Sequence, residues 1–167
     1  MEYNIKMVVT DVDGTLTDGG MYYTETGDEF KKFNAKDGMG MNILRKAGIE
    51  VGIISHGKAP HMVLNRAERL GLKYVYVGSE PKMQVLEKWL QELGISKSEV
   101  CYIGDDINDE AIMESVGLSA CPSDAVKVIR ETADIVLTRG GGNCAFRELV
   151  DEHLIPVKSK RKDKIGF

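Results

Sequence analysis

Asp11 and Asp13 stand one residue apart in "MVVTDVDGT" (7–15), where an apolar run stops and a glycine follows. Like charges this close repel, and each raises the other's proton affinity. Further along, Ser55 closes the run "EVGIIS", Lys82 follows Pro81, and "GDDIND" (104–109) supplies Asp105, Asp106 and Asp109. Brought to one rim, these acids require a cation to neutralise them. An all-oxygen donor set favours Mg²⁺, which keeps coordination positions open for a phosphate oxygen. Ser55, Lys82 and the backbone N–H groups near Asp13 and Gly14 would supply donors to the remaining phosphate oxygens. The chemistry implied is Mg²⁺-dependent phosphoryl transfer. Asp11 would bind the metal and attack phosphorus, forming an aspartyl phosphate. Asp13 would protonate the leaving oxygen and then activate water.

Parallel strands can bring such scattered residues together. "KMVVT" (6–10), "EVGIIS" (50–55), "YVYV" (74–77), "VCYIG" (100–104) and "DIVLT" (134–138) read as strands buried on both faces. Segments 37–48, 60–71, 81–94 and 108–117 have helical period and end at glycine, and 143–154 reads as a last helix. Strand–helix alternation predicts an α/β fold, a doubly wound parallel sheet whose ligands sit at the carboxyl ends of the strands. Between Asp13 and Asp37, "MYY" and "EFKKF" flank "TETGD", a β-hairpin pattern. The insert after strand one is therefore a small hairpin and not a cap domain.

The 167 residues, 43% apolar and 29% charged, fit one compact domain, drawn here as 1–156 with a basic tail at 157–167 that holds five cationic residues and one acid. A net charge of −4 argues against a nucleic-acid partner. Cys101, Cys121 and Cys144 form neither a CxxC nor a Cys/His cluster, which speaks against zinc and for a reducing cytoplasm. The opening "MEYNIKMVVTD" has the pattern of neither a signal peptide nor a membrane span.

"DVDGT", Ser55, Lys82 and "GDDIND", in this order, resemble the phosphatase branch of the haloacid dehalogenase superfamily. Residues 17–55 and "RGGGNCAFREL" (139–149) are similar to its capless members, which act on phosphates of 2-keto-3-deoxy sugar acids. The first substrate implied is KDO 8-phosphate, and a nonulosonate 9-phosphate is the alternative. The resemblance also implies that Asp11 and Asp105 ligate Mg²⁺ by side chain and Asp13 by its carbonyl. It implies a homotetramer in which hairpins build a central barrel and a neighbour covers each site. Substrate contacts are expected from Gly14, Asn34, His56, Lys58 and Arg147. Here "SHGKAPH" stands where relatives carry "TGR" or "TGE", so His56, Lys58 and His61 replace the expected side chain. Asn34 could equally finish the hairpin, and Arg147 could pair with Glu148 or Asp151 on a helix face. Asp109 reads either as an acid favoured in a helix's first turn or as part of the metal site.

Two other classes compete. A signalling receiver also gathers acids, a hydroxyl and a lysine, but its paired acids are adjacent and its phosphoacceptor follows strand three, where "GSEPK" has no aspartate. A catalytically silent partner domain would not need Asp11, Asp13, Ser55, Lys82 and Asp105 together.

Overall fold

The computed structural model describes residues 4–155. The expected tail at 157–167 lies outside them. Six strands form one parallel sheet: β1 (Met7–Thr10), β4 (Glu50–Ser55), β5 (Tyr74–Val77), β6 (Val100–Ile103), β7 (Leu118–Cys121) and β8 (Ile135–Val136). Their order is β5-β4-β1-β6-β7-β8. The chain winds outward from β1 through β4 to β5, then returns to β6 on the other side. That return makes the β1/β6 junction the switch point, where ligands bind in sheets of this kind.

The strand period of two divides the core. Val8, Ile53, Cys101 and Ile103 face a layer built by α1 (Ala35–Lys46), α2 (Pro60–Arg69) and α6 (Ala145–Glu148), through Met41, Leu44, Val63 and Phe146. Met7, Val9, Ile54 and Tyr102 face α3 (Lys82–Leu93), α4 (Glu110–Met113) and α5 (Lys127–Thr132), through Leu86, Leu90, Ile112 and Ile129. The inner strands β4, β1, β6 and β7 are buried on both sides, as the apolar runs required, whereas the edge strands β5 and β8 are only partly covered. The hairpin is β2 (Tyr22–Tyr23) paired antiparallel with β3 (Glu29–Phe30), and no cap domain interrupts the described residues.

Four expectations need correction. β7 and α5 were absent from the sequence reading. β8 spans Ile135–Val136 and not the whole of 134–138. The expected helix at 108–117 is a 3₁₀ turn, Ile107–Asp109, followed by the four-residue α4; it stops at Met113, ahead of Gly117. The last helix passes from α6 into a wider π-helical stretch over Leu149–Leu154. Among the described residues no helix is long and apolar enough to cross a membrane.

Candidate active site

β1 lies between β4 and β6 in matched register, with Thr10 opposite both Ile53 and Ile103. Their carboxyl ends therefore reach one level. Asp11 leaves β1, Ser55 ends β4, and Asp105 follows β6 across Gly104. Lys82 starts α3 and reaches the same point.

The centre is a buried polar network. Lys82 Nζ lies 3.1 Å from Asp11 Oδ1 and 2.6 Å from Asp109 Oδ1. The Tyr102 hydroxyl donates to Asp109 Oδ1 at 2.5 Å. Asp109 Oδ2 accepts from the N–H groups of Asp105 and Asp106 at 3.0 and 3.3 Å. Both oxygens of Asp109 are thus occupied by protein donors, so its work is to hold Lys82 and the 105–106 backbone in place. The Asp106 carboxylate caps the following turn by accepting from the Ile107 N–H.

Asp11 and Asp105 keep free capacity. Asp105 Oδ1 accepts from Thr15 Oγ1 at 2.7 Å, and its other oxygen lies against Gly14. Gly14 has φ +89°, and a Cβ there would meet Asp105 Oδ2 at 2.0 Å, so only glycine allows this approach. Burial and then the charge of Asp109 push the Asp11 carboxyl up to about 7, against the pull of Lys82. Burial lifts Asp105 to about 6, opposed by the Thr15 bond. Burial also works against the Lys82 ammonium, yet the charges of Asp11 and Asp109 outweigh it and raise its pKa. Oxygens of Asp11, Asp105 and Asp109 lie within 4.8 Å of one another. One buried and one half-buried carboxylate, both under-neutralised, fit a small divalent cation with oxygen ligands at this spacing.

Ser55 is 2% exposed, and its Oγ accepts from the Gly57 N–H at 3.2 Å, leaving the hydroxyl proton to donate elsewhere. Asp13 is only half-buried; its Oδ1 lies 2.6 Å from Lys31 Nζ. The glycine-rich loop after β8 closes the other side. Gly142 N–H donates to Thr15 O at 3.0 Å, and a Cβ on Gly141 would meet Gly14 O at 1.9 Å.

The other expected contact residues sit apart from this network. Asn34 caps α1, accepting from the Lys36 N–H and donating to Gly142 O. It ties the hairpin exit to the glycine loop. His56 Nε2 bonds the Glu80 carbonyl at 2.8 Å, and Lys58 is exposed. Arg147 Nε is engaged by Asp151 Oδ2 at 2.8 Å, the helix-face pairing left open above. Sequence reasoning passed over Lys31, Thr15 and Tyr102. It also passed over a groove of about 560 Å³ between hairpin and α2, lined by Phe30, Lys31, His61, Arg66 and Arg69 among others. One signal was legible: His61, Asn65 and Arg69 recur at i, i+4 and i+8, a single stripe of α2.

Comparison with known proteins agrees with this geometry. The profile of haloacid dehalogenase-like hydrolases matches residues 40–117. The 3-deoxy-D-manno-octulosonate 8-phosphate phosphatase of Escherichia coli is 38% identical over 148 residues, 89% of this chain and 78% of that one. Its counterpart from Haemophilus influenzae is 36% identical over 89% of this chain and 82% of its own. Among solved structures, the Yersinia pestis phosphatase of the same name superposes with a TM-score of 0.86 at 36% identity, covering 90% of this chain and 80% of that one. The Moraxella catarrhalis enzyme, solved with magnesium ion, phosphate ion and KDO, gives 0.86 at 34% identity over 90% and 86%. Sheet order, motif order and extended identity agree: the chain belongs to the haloacid dehalogenase-like hydrolases, in the family of the 3-deoxy-D-manno-octulosonate 8-phosphate phosphatases.

Proposed function

We propose that this chain hydrolyses KDO 8-phosphate to KDO and inorganic phosphate, using Mg²⁺ and an aspartyl-phosphate intermediate. The observation that carries the reading is the Asp11 carboxylate held by Lys82 at the switch point, with Asp105 within ligand-sharing distance. Family membership and the KDO-bound Moraxella relative support the substrate.

Asp11 attacks phosphorus as the bond to the sugar oxygen breaks, and Asp13 gives its proton to that oxygen. Asp13 then takes a proton from the water that attacks the aspartyl phosphate, releasing phosphate and restoring Asp11. The Ser55 hydroxyl, Lys82 and the amides after Asp13 hold the phosphoryl oxygens. Mg²⁺ held by the side chains of Asp11 and Asp105 and the carbonyl of Asp13 would offset the carboxylate charge and the charge of the phosphate. The groove between hairpin and α2 gives the sugar room, and its cations Arg66 and Arg69 suit a carboxylate.

The reading extends to assembly and compartment. Residues 1–156 form one catalytic domain. Met21, Tyr23 and Phe30 are 53%, 60% and 52% exposed on a two-stranded hairpin that is marginal alone. Burial of these side chains between hairpins would support a homotetramer. Three buried free cysteines suit the cytoplasm.

The test is kcat/KM on KDO 8-phosphate, on nonulosonate 9-phosphates and on p-nitrophenyl phosphate, with and without Mg²⁺. KDO 8-phosphate should lead by at least ~10-fold, the low end of discrimination by a substrate pocket. A nonulosonate ester in the lead would reassign the substrate. Turnover retained by Asp11→Asn would overturn the nucleophile assignment. Light scattering should show a tetramer, and Phe30→Glu should break it.

A further inference from the structure

Lys31 follows directly on β3, and its side chain is 4% exposed although it belongs to a small surface hairpin. Nζ lies 2.6 Å from Asp13 Oδ1 and 3.0 Å from Glu29 Oε1. An exposed ion pair is worth little and leaves a lysine free to move. This ammonium is enclosed and held from both sides, which orders a flexible side chain against its entropy.

The two oxygens of Asp13 have different surroundings. Oδ1 is taken by Lys31. Oδ2 turns toward Gly57, whose absent Cβ would lie 3.7 Å from it and 3.4 Å from Ser55 Oγ. The Asp13 carboxylate thus shows its free oxygen to the side where Ser55 stands. A carboxylate on a short loop rotates readily about χ2. A charge-assisted bond to one oxygen fixes its plane.

We propose that Lys31 is a positioning residue for that reaction: by holding Asp13 Oδ1, it aims Oδ2 at the oxygen that leaves phosphorus. This rests on the role given to Asp13 above. The hairpin then contributes to chemistry in its own chain, apart from any part in assembly. A poor leaving group depends on the proton from Asp13, whereas p-nitrophenolate departs with little help. Misaiming Asp13 should therefore penalise esters according to the basicity of the leaving oxygen.

The experiment measures kcat/KM for phenyl phosphate and p-nitrophenyl phosphate in the Mg²⁺-loaded enzyme. Neither ester carries a carboxylate, so loss of a sugar-acid contact cannot imitate the effect, and the outcome is independent of which sugar is the substrate. With Lys31→Met, phenyl phosphate should fall ~30-fold and p-nitrophenyl phosphate less than ~3-fold, within the range of general-acid contributions. Lys31→Arg should return phenyl phosphate to within ~5-fold of the parent. Equal losses on both esters, or none on either, would overturn the proposal. If Lys31→Met fails to fold, Glu29→Gln carries the same test: a selective loss on phenyl phosphate of about threefold sustains it. An equal or absent change in that variant defeats it.

Discussion

Two lysine–aspartate pairs flank the proposed reacting position, and they are built in different ways. Lys82 with Asp11 and Asp109 stands on a helix start, a strand end and a 3₁₀ turn, with side-chain exposures of 2%, 8% and 0%. Lys31 with Asp13 joins a two-stranded hairpin to a loop, and Asp13 is 36% exposed there. The first pair sits in a low-dielectric interior, where every charge must be matched. The second borders solvent, where a carboxylate can exchange one partner for another. The roles proposed for Asp11 and Asp13 match this difference: a nucleophile must keep its place through both half-reactions, whereas an acid that becomes a base gains from a looser anchor.

The same substitution at both lysines gives the sharpest contrast. Lys82→Met leaves Asp11 and Asp109 as buried carboxylates without their cation, and should cost about 3–5 kcal/mol in unfolding free energy with a ~10²–10³-fold loss of kcat. Lys31→Met should cost about 1 kcal/mol or less, because its partner is partly solvated. Comparable losses from urea unfolding would erase the distinction. Tyr102→Phe removes one donor from Asp109 Oδ1 while Lys82 remains, so about 1–2 kcal/mol should go, with kcat falling less than ~10-fold.

Asp37 supplies a third setting, a buried carboxylate with no lysine on it. Its Oδ1 accepts from the Arg147 N–H, its Oδ2 has no partner, and only the charges of Arg147 and Arg66 reach it. Burial raises its pKa from 3.8 to about 6. The folded state then binds this proton more tightly than the unfolded state. Stability from this group is fully present below pH 3.8 and is lost as pH rises toward 6. Asp37→Asn should remove that slope. Between pH 4.5 and 7 the variant should gain on the order of 2 kcal/mol over the parent in urea unfolding. Parallel curves would refute the shift.

What could be read in advance follows the same division. Glu50–Ser55 and Tyr74–Val77 were legible because strands of a parallel sheet covered by helices read as unbroken apolar runs. Leu118–Cys121 escaped because "LSAC" has no β-branched or aromatic residue, although Ser119 is buried and bonded to Asp134. Lys127–Thr132 escaped because six residues are too short to display a period. Asp11, Ser55, Lys82 and Asp105 were visible because each sits at a fixed offset from a strand end or helix start. Lys31 was not, since a lysine beside another lysine in a hairpin has the pattern of any solvated strand. Arg147 and Asn34 were visible as polar residues in the right neighbourhoods, but local capping and i, i+4 pairing engage them in this chain.

Because β1 lies between strands that come from residues 50–55 and 100–103, no short stretch of sequence contains the candidate centre. A fragment ending between Ser55 and Val100 retains Asp11 and Ser55 but lacks the strand β6 that pairs with β1 on its other side. Appearance of hydrolytic activity during refolding would therefore report closure of the longest-range strand pairing, and not merely the growth of helix.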